Sequence, residues 1–352
     1  MEFSALPVKK GDAFLLNFKG IFILVDGGVN QEHICSLLSQ ENIPDKRIHI
    51  IICTHYDADH INGILGILKS NKWKFNEIWL PEILGSIGYT ISKSHRKWLN
   101  ALRKFREISV GESINSSDLP YVDKDNNEDV SIASLNLFLN FRFFYYQQHP
   151  SWVYDEPEID NDGEIITNLH SACSMVKNSL SSGAYVRWFK YKNAEQSIDC
   201  GNNMIAINSI ETGVTIYDPI QLAKALLLTT INKESLVFLF NHNHFPNVLF
   251  AADSDLKFSK SISLKDNSIV TAPHHGSDEN KKAYSIIVGK NLCFVRSDSF
   301  NNTRPCNTYI DQLNRYCTRC RNASNEQKVI LEFDGNSMSP TNGTNPCTCQ
   351  KV

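Results

Sequence analysis

The stretch THYDADH puts His55, Asp57, Asp59 and His60 within six positions, directly after the apolar run IHIIIC. Imidazole nitrogens and carboxylate oxygens are donors for divalent cations, which need several of them converging at roughly 2.0 to 2.6 Å. Four donors on one short loop exceed what a single ion draws from so tight a turn, so two ions sharing the loop is the simpler reading. Alternation along an extended turn sets His55 and Asp57 toward one ion, and Asp59 with neighbouring His60 toward the second. Two later strand ends offer donors of the same kind: NVLFAA leads to Asp253, and SIVTAP leads to the pair His274 and His275. Strand ends along one sheet edge are a rigid way to bring such groups together.

The elements that must position these groups are legible on either side of a less regular middle. EFSALPV, AFLLNF and IFILVDGG are short apolar runs separated by KKGD and KG, the pattern of consecutive antiparallel strands with tight turns. NQEHICSLLSQ has helical spacing, RIHIIIC reads as a strand, INGILGILKS as a helix, and FNEIWLP as a strand ended by proline. The order β, β, β, α, β, α, β predicts a mixed sheet with helices on its outer face. From 232 onward SLVFLF and NVLFAA form a hairpin around NHNHFP, and Ser277 or Asp278 is placed to cap a helix after the histidine pair. NLCFVRSDSF then reads as a strand, NTYIDQLNRY as a helix and QKVILEFDG as a closing strand. Between about 85 and 230 the pattern degrades. SKSHRKWLNALRKFRE is an amphipathic helix with a basic stretch over 93–106, DEPEIDNDGE an exposed acidic loop, AYVRWFKY and NMIAINSI strands, and IQLAKALLL a helix.

Composition sets the outer bounds. The 352 residues are 42% hydrophobic and 21% charged, enough for a large core in one elaborated domain or two. The sequence has no run of about 18 apolar residues and MEFSALPVKK lacks a signal peptide's features, so a cytoplasmic protein without a membrane partner is expected. A net charge of −3 gives no whole-molecule attraction to nucleic acid, so a polyanion would have to be held by a local patch or by metal. The ten cysteines read as mostly buried thiols. CTRC (317–320) and CTC (347–349) are either free cysteines on a loose tail or four ligands for a structural zinc.

THYDADHINGIL resembles the H-x-[HD]-x-D-H motif of the metallo-β-lactamase superfamily, and KKGDAFLLNFKGIFILVDGG is similar to the strand hairpin and Asp-Gly-Gly turn that begin that fold. NKES, LFAADSD, APHHGS and RSDSFNNTRP, in this order, resemble the metallo-β-lactamase domain of bacterial DNA-uptake (competence) channel proteins and their stand-alone relatives. The resemblance implies a four-layer αβ/βα sandwich of α/β class with an inserted segment. Residues 1–90 and 231–335 would be its two halves, 91–230 a partly inserted region open to protein partners, and 336–352 a cysteine-containing tail. It also implies a dinuclear site. His55 and Asp57 would hold a first ion with Asn232 as a weak ligand, Asp59 and His60 a second, Asp253 would bridge both, and His274 would complete the second site. Zinc and manganese are the candidate ions, since a carboxamide at 232 suits a harder ion than an imidazole would. Asp59, His275 and Arg304 are the residues expected to carry the chemistry, His275 as proton donor to the leaving oxygen and Arg304 as phosphate clamp. The expected activity is a metal-dependent hydrolase, foremost a phosphodiesterase or nuclease acting on nucleic acid or nucleotides. Hydrolysis of thioesters or lactams, and a non-catalytic scaffold with a vestigial site, are the alternatives.

Overall fold

A computed structural model describes residues 1–89, 161–192, 196–216, 234–257, 260–298, 304–321, 326–341 and 343–351, with the backbone alone over 161–170. The chain opens with β1 (Glu2–Ala5), β2 (Phe14–Phe18) and β3 (Ile21–Val25), each antiparallel to the one before. Helix α1 (Gln31–Ser39) follows, its start fixed by the Asn30 side chain, which accepts from the amides of Glu32 and His33 at 3.0 and 2.9 Å. A helical return of this kind permits parallel pairing, and β4 (Arg47–Ile52) lies parallel to β3. Helix α2 (Ala58–Lys69) then leads to β5 (Lys74–Pro81), parallel to β4.

A further helix, α3 (Asn161–Ser181), packs beside α2, with Ser171 donating to the Asn62 side chain at 3.0 Å. After it come β6 (Tyr185–Tyr191), β7 (Ile198–Asp199), β8 (Met204–Ala206) and β9 (Ser209–Thr212). The last part of the chain supplies β10 (Phe238–Phe240), β11 (Val248–Phe250), β12 (Ile262–Ser263), β13 (Ile269–Thr271), β14 (Ile287–Val288), β15 (Cys293–Arg296), β16 (Asn314–Cys317), β17 (Val329–Phe333) and β18 (Met338–Pro340). One sheet of nine strands runs β18-β17-β1-β2-β3-β4-β5-β6-β9, a second of seven runs β16-β15-β13-β11-β10-β8-β7, and β12 pairs with β14.

Strand alternation divides the apolar residues among three cores. Phe14, Leu16, Ile23, Val25, Ile50 and Ile52 of the nine-stranded sheet meet Phe238, Phe240, Val248 and Phe250 of the other. The Phe14 and Phe250 rings lie 6.4 Å apart, and Trp79 and Phe238 5.5 Å apart, so aromatic contacts span the two sheets. Truncating Phe250 to alanine would cost about 3–5 kcal/mol through lost transfer energy and the cavity left behind. Leu15, Leu24 and Ile51 point the other way, onto Ile34, Ile61, Ile64, Leu65 and Met175 of the three helices. Val237, Leu249, Val270 and Phe294 do the same on the outer face of the seven-stranded sheet, against Tyr284 and Tyr309. That face is covered by a 3₁₀ segment at Asp278–Ser285 and a helical turn at Asn307–Ile310, which makes the four-layer αβ/βα sandwich.

Several expectations need correction. NMIAINSI is two strands, not one: β8 belongs to the seven-stranded sheet and β9 to the nine-stranded one. The break falls at Asn208, whose amide donates to the Ser235 carbonyl while its oxygen accepts from the Val237 N–H, both at 2.8 Å. NTYIDQLNRY is helical only to Ile310, because Leu313 is left 94% exposed and Asn314–Cys317 pair with β15 instead. The acidic stretch continues as helix from Asn161, a helix whose Ser- and Asn-rich sequence hides its apolar face of Ala172, Cys173, Met175 and Val176. The tail is not loose, since β18 pairs with β17 and Cys347 and Cys349 are buried. The basic stretch 93–106 and the helix expected at IQLAKALLL lie outside the described residues.

Candidate metal centre

The candidate ligands stand at the C-terminal ends of β4, β11 and β13, where three segments of the chain converge. The first loop is not the extended turn expected from alternation. It is extended only through Asp57, which takes the N-cap position of α2, so Asp59 and His60 ride on the helix's first turn. The Asp57 side chain makes no capping bond and instead lies 3.9 Å from His55 Nε2. What presses α2 against the end of β3 is a pair of glycines: a Cβ on Gly63 would stand 1.8 Å from the Gly27 carbonyl oxygen, so only glycine permits the approach.

Asp253 is the hub. Its Oδ2 is 3.8 Å from His55 Nε2 and 3.4 Å from His274 Nε2, and its Oδ1 is 3.5 Å from His60 Nε2 and 3.4 Å from His275 Nε2. Asp59 Oδ2 lies 3.9 Å from His275 Nε2 and 3.7 Å from the Lys10 ammonium at the surface. The turn that carries the histidine pair is strained: His274 and His275 have φ of 48° and 52°, left-handed values that cost on the order of 1–3 kcal/mol each and concentrate where function demands them.

Each inner imidazole is oriented by its other nitrogen. His60 Nδ1 is 2.9 Å from Asp26, which also accepts from the Thr54 amide and hydroxyl at 2.9 and 2.7 Å. With its proton committed to Asp26, the Thr54 oxygen accepts from His55 Nδ1 at 3.0 Å. His275 Nδ1 is 3.0 Å from Asp12, and its carbonyl accepts from Arg296 Nε at 2.7 Å. These bonds turn each Nδ1 outward and aim the Nε2 atoms at Asp253. His274 differs: its Nδ1 meets the Asn280 oxygen at 2.9 Å, and its Nε2 accepts from Arg304 Nη2 at 3.1 Å.

Five buried polar atoms around the hub have no hydrogen-bond partner: Nε2 of His55, His60 and His275, Oδ1 of Asp253 and Oδ2 of Asp12. Leaving so many uncompensated costs about 1–3 kcal/mol each, and bound cations remove that cost. One ligand atom from each of Asp12, His60, Asp253 and His275 lies within 4.8 Å of the others, so the residues fit a divalent ion. The electrostatics agree. Burial resists charging Asp253, yet the imidazoles of His275, His60 and His55 hold its carboxyl well below the usual range. Burial also resists charging His275 and His60, but Asp253 with Asp12 raises the first to about 9, and Asp253 with Asp26 raises the second well above its ordinary value. Burial dominates at His55 and lowers it to about 4. Asp59, against the same opposition from burial, is drawn down to about 2 by His60, His275 and Lys10. Without metal, then, protons on His60 and His275 stand where cations would.

Of the residues expected from sequence, His55, Asp57, Asp59, His60, Asp253, His274, His275 and Arg304 converge here, whereas Asn232 lies outside the described residues. Asp12 and Asp26 were missed. Each directly flanks an apolar strand run and is 1% exposed, and a carboxylate at the boundary of a buried strand is the signal that would have found them.

Residues 6–114 match the family model described as Metallo-beta-lactamase superfamily. No curated protein matches the chain. Among solved structures, the chain is similar to human tRNase Z, short form (ELAC1), at 10% identity and a TM-score of 0.39, covering 93% of this chain and 98% of that one. With the family model matched across the ligand loop, and that loop set at the strand ends of a four-layer αβ/βα sandwich, the chain carries the fold of the metallo-beta-lactamase superfamily.

Proposed function

We propose that the protein is a metal-dependent phosphodiesterase acting on nucleic acid or nucleotides, with two divalent ions, zinc or manganese, held around Asp253. The observation that carries this reading is a cation rim on an acidic and imidazole centre: Arg304 reaches His274 Nε2 at 3.1 Å with its side chain 21% exposed, and Lys10 stands 64% exposed beside Asp59. A guanidinium and an ammonium at the mouth favour an anionic substrate, and the planar fork of arginine matches two phosphate oxygens. The order of motifs resembling DNA-uptake domains points the same way.

When bound, divalent cations acidify a water and offset charge growing on a substrate oxygen. His55 and Asp57 would hold one ion, Asp59, His60 and His275 the other, and Asp253 would serve both. His275 takes the ligand role here and His274 the substrate-facing one, the reverse of the sequence expectation. The support is that His275 Nε2 has no hydrogen-bond partner and faces Asp59 and Asp253, whereas His274 Nε2 already meets Arg304. His274 is thereby positioned to move a proton at the leaving oxygen, while Arg304 binds and orients the phosphate.

The test is hydrolysis by manganese- or zinc-loaded protein of a chromogenic phosphodiester, single- and double-stranded DNA, a thioester and a chromogenic cephalosporin. Turnover of phosphodiesters that disappears in Asp57→Ala/Asp59→Ala supports the reading. Turnover of only the thioester or cephalosporin overturns it.

A further inference from the structure

The geometry points to a second metal centre, a structural zinc held by four thiolates, at the far edge of the seven-stranded sheet. Cys317 ends the edge strand β16, Cys320 follows it by one turn, and Cys347 and Cys349 lie on the terminal segment. All four are buried, and their sulfurs lie within 4.8 Å of one another. Tetrahedral zinc with bonds of about 2.3 Å separates its sulfurs by about 3.8 Å, so the cluster needs only small adjustment to close on an ion. A disulfide fits worse: Cys317 and Cys347 approach to 3.2 Å, against a bond of about 2.05 Å, and four sulfurs converge where a disulfide uses two.

The surrounding backbone is set for sulfur that carries charge. The amide of Thr348 donates to Cys320 Sγ at 3.3 Å, that of Arg321 to Cys349 Sγ at 3.1 Å and that of Cys349 to Cys347 Sγ at 3.4 Å. Three donors aimed at three different sulfurs suit thiolates, since a neutral thiol is a weak acceptor. Other buried cysteines of this chain, such as Cys53, Cys173 and Cys293, sit in separate core positions as small apolar residues.

The tail's composition explains why a metal is needed. TNGTNPCTCQK, residues 341–351, has almost nothing apolar to bury apart from its two cysteines, yet it crosses from β18 in one sheet to the edge of the other, where the Cys347 amide donates to the Arg315 carbonyl at 2.8 Å. Metal–thiolate bonds supply the hold that burial cannot. The brace also reaches the proposed active centre. Arg321 Nη2 donates to the Pro305 carbonyl at 2.8 Å, beside Arg304, and Arg296, which supports the His275 carbonyl, donates to the Arg319 carbonyl at 3.1 Å.

The test uses the full chain, dialysed against a chelator that strips the oxygen- and nitrogen-bound ions, with zinc then measured. One zinc per chain is expected to remain, to leave only on treatment with a mercurial, and to show four sulfurs at about 2.3 Å by X-ray absorption. Cys349→Ser is expected to lose it, while Cys35→Ser keeps it. A protein that holds no zinc and whose thiols all react freely overturns the proposal, as does a Cys317–Cys347 disulfide found by mass spectrometry. The absorption measurement on unaltered protein decides the matter even where Cys349→Ser fails to fold, and it is independent of whether the hydrolase reading holds.

Discussion

Gly11→Ala is the substitution in which backbone geometry and the candidate centre meet most directly. Gly11 has φ of +90°, and a Cβ there would stand 1.7 Å from the Asp59 carbonyl oxygen and 2.7 Å from the Asp59 Cβ, with backbone as the obstacle and no flexible chain end to move aside. The φ alone costs about 1–2 kcal/mol for an L-residue. Forcing an extra methyl into packed structure adds about 1–3 kcal/mol. Gly20 is the control: its φ is +83° with nothing within 4 Å of the added Cβ, so Gly20→Ala bears only the first cost. Gly11→Ala is therefore expected to lose about 2–5 kcal/mol against about 1–2 for Gly20→Ala. Because relief comes by moving Asp59, which faces His275 at 3.9 Å, it is also expected to bind metal more weakly. Denaturant unfolding gives the stability difference, and metal content after dialysis gives the second effect. If Gly11→Ala matched Gly20→Ala in stability and kept its metal, the close approach between the 9–12 turn and α2 would be refuted.

Asp26→Asn and Asp12→Asn remove the acceptors that orient His60 and His275, and each is expected to weaken metal binding about 10- to 100-fold by calorimetric titration with little change in fold. Unchanged affinity would mean that these carboxylates do not set the imidazoles. Arg304→Ala is expected to reduce kcat/KM for phosphodiesters about 10- to 100-fold, the loss of a charge-assisted contact, with Arg304→Lys in between. Equal loss on an uncharged thioester would argue against a phosphate clamp. In the metal-free protein the pKa of His275 is raised to about 9 and that of His60 well above normal, so their protons stabilise the fold below the unfolded value near 6.5, and that stability fades as pH rises through about 9. The thermal midpoint of chelator-treated protein should fall between pH 7 and 9.5, and a midpoint that rose would contradict the charge pairing.

How far the sequence foretold this arrangement depends on where energy was local. THYDADH, the strand runs around it and the helical spacing of NQEHICSLLSQ could be read because each is decided by near neighbours. That α2 begins at Ala58 could not, since its Asp57 cap makes no side-chain bond and the spacing of the four donors reads as an extended turn. NMIAINSI looks continuous because no glycine or proline interrupts it, and the Asn208 bonds to Ser235 and Val237 mark where it passes between sheets. Asp12 and Asp26 acquire meaning through partners 263 and 34 residues away, which no local pattern records. The choice between His274 and His275 likewise rests on Asp12, Asn280 and Arg304 together.

Anomalous diffraction from crystals grown with manganese or zinc tests the central claim most directly. The account predicts peaks on both sides of the Asp253 carboxylate, one within bonding distance of His55 and Asp57 and the other of Asp59, His60 and His275. Ordered crystals in saturating metal with no peak near Asp253, or with the three imidazole Nε2 atoms turned away from it, would contradict the account.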